Sequence, residues 1–193
     1  MKKTIKWAAG ALAFVLVIAG AYFLYTKLGS AYAPNNLTSD SPQSQDNDDT
    51  DTDKYAAPDF TVTDYNGNKV KLSDLKGKPV VINFWATWCY YCTTEMPDFN
   101  EVCQKYEGKV QFMMVNMTDG ADETVAKAKS HIESKGYTFP VYFDTELEAA
   151  NAYSVTGLPL TYFVDSDGNL IAHARGAINA ETLEKGISMI SES

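Results

Sequence analysis

Trp85-Ala86-Thr87-Trp88-Cys89-Tyr90-Tyr91-Cys92 is the stretch that decides the fold of this chain. An apolar segment rich in β-branched residues, residues 80–84, precedes it and predicts a buried strand. Residues 93–103 follow it and predict a helix that ends near Gly108. The two cysteines therefore stand where a strand gives way to a helix N-terminus, whose free N–H groups and dipole favour a thiolate. Because the thiolate is the nucleophile of disulfide exchange, the stretch predicts a redox centre.

Other uses of a Cys-x-x-Cys pair agree less well with the sequence. A haem attachment site needs His directly after the second cysteine, where this chain has Thr93. A structural zinc site needs two further ligands, and Cys103, His131 and His173 each stand alone in the sequence. A structural disulfide has no need of a strand-to-helix junction. Redox chemistry is therefore favoured, with no metal and no further cofactor expected.

Composition limits the class of protein. The chain has 193 residues, enough for one domain with appendages, and we expect a monomer. Its formal net charge of −9 argues against nucleic acid as a partner. Three cysteines are too few for a disulfide framework, but they suit one catalytic pair and a leftover.

Residues 7–25 carry no charge and predict a transmembrane helix, because they would span roughly 28 Å at about 1.5 Å per residue. Three lysines precede this run and one follows closely, so we expect a cytoplasmic N-terminus and an extracytoplasmic redox domain. A cleaved signal peptide is the alternative, since residues 31–33 (Ala-Tyr-Ala) resemble a cleavage site. The apolar run is longer than usual for a signal peptide, and Pro34 should hinder cleavage. We therefore predict a single-pass protein of the cell membrane.

Three regions follow along the chain. Residues 1–28 are predicted as the signal-anchor, residues 29–54 as a disordered acidic linker without large apolar content, and residues 55–193 as the redox domain. In the domain, predicted strands alternate with helices and a hairpin precedes the last helix, which indicates an α/β sheet with an antiparallel edge. The predicted strands are 60–63, 69–72, 110–117, 139–143, 160–164 and 170–174, and the predicted helices are 122–135, 146–153 and 179–190.

Two motifs, taken together, resemble a known family. They are Phe84-Trp85-Ala86-Thr87-Trp88-Cys89 with Cys92, Glu95 and Pro97, and Val155-Thr156-Gly157-Leu158-Pro159 with Thr161-Tyr162-Phe163-Val164-Asp165. The domain resembles the thioredoxin fold, and more closely the TlpA/ResA-like membrane-anchored thiol–disulfide oxidoreductases, over roughly residues 57–190. The resemblance implies a central mixed sheet flanked by helices, with an N-terminal β-hairpin and a helical insertion at about residues 119–153.

The resemblance also assigns roles to the active-site side chains. Cys89, at the exposed start of the helix, would attack a partner disulfide, and Cys92 would resolve the mixed disulfide. Glu95 would carry the proton that Cys92 loses and regains, although it could instead serve only the helix N-terminus. Pro159 would be a cis-proline beside the cysteines, although an ordinary trans proline is the alternative.

The substrate would bind beside this proline. The resemblance implies that the Leu158 backbone pairs with an extended substrate, and that Trp88 borders the site. The Tyr90-Tyr91 dipeptide departs from relatives, which often have Pro before the second cysteine, so no redox potential can be carried over. Cytoplasmic thioredoxins have a buried Asp where this chain has Asn83.

The leading hypothesis is a protein-disulfide oxidoreductase that exchanges its Cys89/Cys92 pair with disulfide- or thiol-bearing extracytoplasmic proteins. We expect net reduction, with electrons from a membrane thiol carrier and apocytochrome c as one substrate that the resemblance suggests. Net oxidation of secreted thiols is the second hypothesis. A copper-delivery module would want a wider cysteine spacing and a well-placed His. A thiol peroxidase would want Pro and Thr where this chain has Ile82 and Ala86.

Overall fold

The computed structural model describes residues 17–19, 22–23, 35–39 and 55–191. The chain divides into two compact units, Met1–Ala33 and Pro34–Ser193. In the first unit, the described residues are helical, and most of the predicted transmembrane segment, residues 7–25, lies outside them. Within the described part of the chain, no helix combines enough length with enough apolar character to span a bilayer.

The second unit is built on one mixed sheet. Its strands are β1 Leu37–Ser39, β2 Thr61–Thr63, β3 Lys69–Lys71, β4 Val80–Trp85, β5 Gln111–Asn116, β6 Val141–Phe143, β7 Leu160–Val164 and β8 Leu170–Arg175. They are arranged in the order β1-β8-β7-β4-β5-β6-β2-β3. Because β4 pairs in parallel with β5 and antiparallel with β7, the strand that leads to the cysteines lies in the interior of the sheet.

Three of the four α-helices described in this unit begin after a residue whose side chain accepts a hydrogen bond from the first turn. They are α1 Tyr90–Lys105, α2 Val125–Lys135, α3 Glu148–Ala152 and α4 Ala180–Ser191. The Thr124 side chain accepts a hydrogen bond from the Lys127 N–H at 3.2 Å, which is why α2 begins later than the predicted residue 122. Gly136 ends α2 with a left-handed φ of 68°. Asn179, the first residue of the last predicted helix, caps α4 by accepting from the Thr182 N–H at 3.0 Å.

Side chains alternate along β4 and fill two separate hydrophobic clusters, since successive residues of a strand point to opposite faces. Val81 and Trp85 belong to a cluster that α1, α2 and α4 also supply. Val80, Ile82 and Phe84 belong to the other, which contains residues of the β2–β3 region and α3. All six residues of β4 are buried, so the strand fixes the position of the loop that follows it.

The predicted thioredoxin-like fold is confirmed. The β2–β3 hairpin and the helical insertion between β5 and β7 lie where they were expected, and strand bounds differ from prediction by a few residues at most. Gly186 of α4 packs directly on the Phe163 ring of β7, at a distance that a Cβ atom would not permit. The last helix therefore lies close against the sheet.

The prediction that residues 29–54 form a disordered linker is wrong at Leu37–Ser39, which form the strand β1. This short strand pairs antiparallel with β8, and the Asn35 N–H just before it donates to the Ala177 carbonyl at 3.0 Å. A three-residue strand at the edge of a sheet forms by pairing with an exposed neighbouring strand and needs no apolar run. The composition of residues 37–39 therefore does not indicate a strand. The rest of the predicted linker, apart from residues 35 and 36, lies outside the described residues.

Candidate active site

The two cysteines lie at the junction of β4 and α1. Cys89 is the residue just before α1, and its Sγ accepts a hydrogen bond from the Cys92 N–H at 3.1 Å. A disulfide joins the two Sγ atoms. The first turn of α1 contains no acidic residue, so the positive end of the helix dipole acts on Cys89 without an opposing carboxylate in that turn.

The two sulfurs differ in access. In the disulfide form, Cys89 exposes 6% of its surface and Cys92 exposes none. The exposed start of the helix predicted for Cys89 is therefore largely covered in this state. An incoming thiol still meets Cys89 before it can meet Cys92.

Glu95 is a buried carboxyl group three residues after Cys92 on α1. It exposes 3% of its surface. Its Oε1 accepts from the Asn83 amide at 2.8 Å, and its Oε2 accepts from the Ile178 N–H at 2.9 Å. Burial, the largest influence, and the charge of Asp98 raise the pKa of Glu95, its two hydrogen bonds lower it, and the net pKa is about 8. The group can therefore change its protonation state near neutral pH.

Asn83 supports Glu95 from the middle of β4. Its Nδ2 donates to Glu95 and also to Thr161 Oγ1 at 3.0 Å. Its Oδ1 has no hydrogen-bond partner among the described residues. An asparagine at this position supplies an N–H donor to the carboxyl group without adding a second negative charge, which an aspartate would add.

Pro159 brings the start of β7 to the active site. The Leu158–Pro159 peptide bond is cis, as the resemblance implied. Pro159 is buried and Leu158 is half-buried, and the Pro159 carbonyl accepts from the Gly176 N–H at 3.0 Å. Leu160 lies opposite Phe84 of β4, so this loop is next to the strand end that carries the cysteines.

Exposed aromatic side chains flank Cys89 in the sequence. Trp88 exposes 58% of its surface, Tyr90 74% and Tyr91 61%. The Tyr90 and Tyr91 rings pack edge to face with their centroids 5.5 Å apart. Trp85, in contrast, is fully buried in the core.

Glu123 is a second buried carboxyl group, and no sequence pattern points to it. It exposes none of its surface. It accepts from the Thr87 N–H at 3.0 Å, from the Thr87 hydroxyl at 2.6 Å and from the Asn116 amide at 2.7 Å. Because Thr87 precedes Cys89 by two residues, Glu123 ties the cysteine-bearing loop to the segment after β5.

The third cysteine lies away from this chemistry. Cys103 is half-buried, and burial, with a contribution from Glu107, raises its pKa to about 11. A thiol with so high a pKa is a poor nucleophile. In the part of the chain that the structure describes, no group of three or more His, Cys, Asp or Glu side chains could hold a metal ion.

The chain resembles several known proteins in sequence and in fold. The AhpC/TSA family model matches residues 54–173. The thiol-disulfide oxidoreductase ResA of Bacillus thuringiensis subsp. konkukian is 39% identical over 136 residues, which cover 70% of this chain and 76% of that protein. A Chlorobium tepidum structure assigned as the thiol:disulfide interchange protein DsbE has a TM-score of 0.62 and 30% identity, covering 70% of this chain and 94% of that one. The exposed lipoprotein thioredoxin Etrx1 of Streptococcus pneumoniae has a TM-score of 0.61 and 26% identity, covering 67% and 98%.

Proposed function

The chain belongs to the AhpC/TSA family and is a thiol–disulfide oxidoreductase of the ResA type, and we propose that it reduces disulfides of partner proteins outside the cytoplasm. The observation that carries this direction is the buried Glu95 carboxyl group three residues after Cys92. Burial and a neighbouring carboxylate both disfavour a thiolate at Cys92. A strong oxidant has a stabilised reduced form, and an environment that disfavours the thiolate acts in the opposite direction, toward a reductant.

In the proposed reaction, the dithiol form of the chain attacks a partner disulfide. The Cys89 thiol gives its proton to water, its thiolate forms a bond to one partner sulfur, the partner S–S bond breaks, and the released partner thiolate takes a proton from water. The Cys92 thiol then passes its proton to the Glu95 carboxylate and attacks the Cys89 sulfur of the mixed disulfide. The second partner thiolate leaves and takes up the proton from Glu95. The partner has gained two electrons and two protons, and the chain ends with the Cys89–Cys92 disulfide seen in the structure.

The partner segment would dock beside the cysteines. We assign Leu158 and Pro159 to this docking, because they directly precede β7, which pairs with β4, and Leu158 is half-buried. Trp88 would form the border of the site, since it is exposed and adjoins Cys89. Haem-site cysteines of apocytochrome c are the partner class that the ResA resemblance suggests. A membrane dithiol carrier would return the two electrons for the next turnover.

We also propose that residues 7–25 anchor the chain in the membrane. The uncharged run and the lysines before it support this location, and the Streptococcus pneumoniae neighbour is named an exposed lipoprotein. In cells, the protein should fractionate with membranes, and protease added outside should cleave it. A soluble mature protein that begins near Pro34 would instead indicate a cleaved signal peptide.

The direction of transfer is tested by the reduction potential of the full chain in detergent, equilibrated with glutathione and dithiothreitol buffers. We expect a potential near the roughly −270 mV of thioredoxin. A value near the roughly −120 mV of DsbA would contradict net reduction and favour oxidation of secreted thiols. In the same preparation, Cys89→Ser should abolish exchange, whereas Cys92→Ser should accumulate mixed disulfides. Normal turnover by Cys92→Ser would contradict the assigned order of attack.

A further inference from the structure

We propose that Tyr90 and Tyr91 form an aromatic contact surface for the apolar side chains that flank the reactive cysteine of an extended partner segment. This inference rests on the proposed function, because it names the class of polypeptide that the same site prefers. The Tyr90–Tyr91 surface is defined by these two side chains alone.

The exposed aromatic area is concentrated at the reactive disulfide. Within residues 55–191, the exposed large hydrophobic side chains are those of Tyr55, Trp88, Tyr90 and Tyr91. Three of these four residues lie within two positions of Cys89 in the sequence. A contiguous apolar patch that is exposed on a folded domain is typical of a contact site for another molecule.

The chemistry of this surface suits an apolar occupant. The first turn of α1 has no acidic residue, although the whole chain carries a net charge of −9. The hydroxyls of Thr93 and Thr94 both donate to the Tyr90 carbonyl, at 2.8 and 2.9 Å, so both hydroxyls are already hydrogen-bonded within the helix. The two tyrosine rings offer large, rigid contact area at a small cost in conformational entropy.

A bound partner necessarily comes within reach of these rings. In a mixed disulfide with Cys89, the partner cysteine Cα would lie about 5.5 Å from the Cys89 Cα. Neighbouring residues on both chains are only about 3.8 Å further along. Because Tyr90 directly follows Cys89 and Tyr91 precedes Cys92, residues one or two positions from the partner cysteine can pack on the Tyr90–Tyr91 surface.

The test uses disulfide-linked dimers of short Xaa-Cys-Xaa peptides, in which Xaa is Leu, Gly or Lys, with hydroxyethyl disulfide as a small substrate. The second-order rate constant for reduction is measured with the reduced full chain in detergent. The wild type should reduce the Leu peptide about 3- to 10-fold faster than the Gly peptide, a difference of about 1 kcal/mol at the middle of that range. The double variant Tyr90→Ser/Tyr91→Ser should bring this ratio close to one. Tyr90→Phe/Tyr91→Phe should keep it, because the rings remain.

Tyr55→Ser is the matched control, since Tyr55 exposes 62% of its surface but lies far from the cysteines in the sequence, and it should leave the ratio unchanged. The dipeptide also affects the redox potential, but a change in potential alters both peptide rates alike and leaves their ratio intact. An unchanged ratio in the double Ser variant, equal wild-type rates for Leu and Gly, or a preference for Lys would each overturn the inference. Failure of the wild type to reduce any substrate, hydroxyethyl disulfide included, would instead contradict the proposed reductase.

Discussion

Two carboxyl groups are buried beside the cysteine loop, and their surroundings hold them in different ways. Glu95 receives one hydrogen bond on each oxygen, from Asn83 and from the Ile178 N–H. Glu123 receives three, two of them from Thr87 and one from Asn116. Burial outweighs the two hydrogen bonds at Glu95 and raises its pKa to about 8.

The difference teaches that burial alone does not make a carboxyl group a proton carrier. Glu95 lies three residues after Cys92 on the same helix, and on this spacing we propose that its proton serves the chemistry at the second sulfur. Glu123 lies after β5, and all three of its donors come from residues that shape the strand ends and the loop. We therefore interpret Glu95 as the carboxyl group of the reaction and Glu123 as the acceptor that holds the Thr87 loop.

The largest expected effect is the dependence of stability on pH at Glu95. Its pKa is raised to about 8 in the folded protein from an ordinary 4.5, so the folded state holds this proton more tightly than the unfolded chain. The resulting stability is complete below pH 4.5 and is lost as pH rises through about 8, by up to about 1.4 kcal/mol per pH unit. Urea unfolding of the oxidised wild type and of Glu95→Gln across this range measures the difference. Parallel curves would show that Glu95 does not titrate in this window.

The next effect is the loss of the loop acceptor. Glu123→Ala should lower the free energy of unfolding by about 2–4 kcal/mol, because the donors of Thr87 and Asn116 lose a buried partner. Glu133→Ala is the control, since the exposed Glu133 carboxylate also accepts a short hydrogen bond, from the Tyr65 hydroxyl at 2.7 Å. The control should lose less than about 1 kcal/mol. Equal losses of unfolding free energy in the two variants would show that the buried hydrogen bonds of Glu123 stabilise the fold no more than the exposed one of Glu133.

The third effect is kinetic and separates the two groups directly. Glu95→Gln should slow disulfide exchange by about 10–100-fold, because the variant has no base to accept the Cys92 proton. The wild-type rate should rise as pH increases through about 8, where the Glu95 carboxylate forms, and the variant should lose this rise. Glu123→Gln should keep it. If Glu95→Gln and Glu123→Gln had the same pH–rate profile, the distinction between a proton-carrying Glu95 and a structural Glu123 would be wrong.

The smallest effect concerns a single hydrogen bond of the loop. Thr87→Val removes the 2.6 Å bond to Glu123 but keeps the shape of the side chain and the N–H donor. We expect a loss of about 1 kcal/mol in unfolding free energy. Thr87→Ser retains the hydroxyl and should lose less than Thr87→Val. The opposite order would assign the cost to packing of the methyl group instead.

Much of the fold could be predicted because its signals are local. The apolar run of β4, the Asn-Gly turn of the β2–β3 hairpin and the caps at Asn179 and Gly136 each act within a few residues. The Cys89–Cys92 pair and the spacing of Glu95 are local as well, since they lie on one helix and at its start.

Non-local contacts could not be predicted from the same patterns. Glu123 accepts a hydrogen bond from Thr87, which is 36 residues away in the chain. Nothing near Glu123 in the sequence distinguishes it from acidic residues that lie on the surface. The surroundings of Glu95 are non-local as well, because its carboxylate accepts a hydrogen bond from the Ile178 N–H, 83 residues away in the segment before α4. The strand β1 pairs with β8 across most of the chain, so its short polar sequence carries no signal of its own.

The pairing of β1 with β8 also changes what the acidic segment connects. The Asn35 backbone is held at Ala177, and β1 is held at β8. Because Ala57 bonds Gly168 of the same domain, residues 40–54 begin and end on one domain. The length of this segment therefore sets an entropy of loop closure within the domain, which grows only slowly with the number of residues.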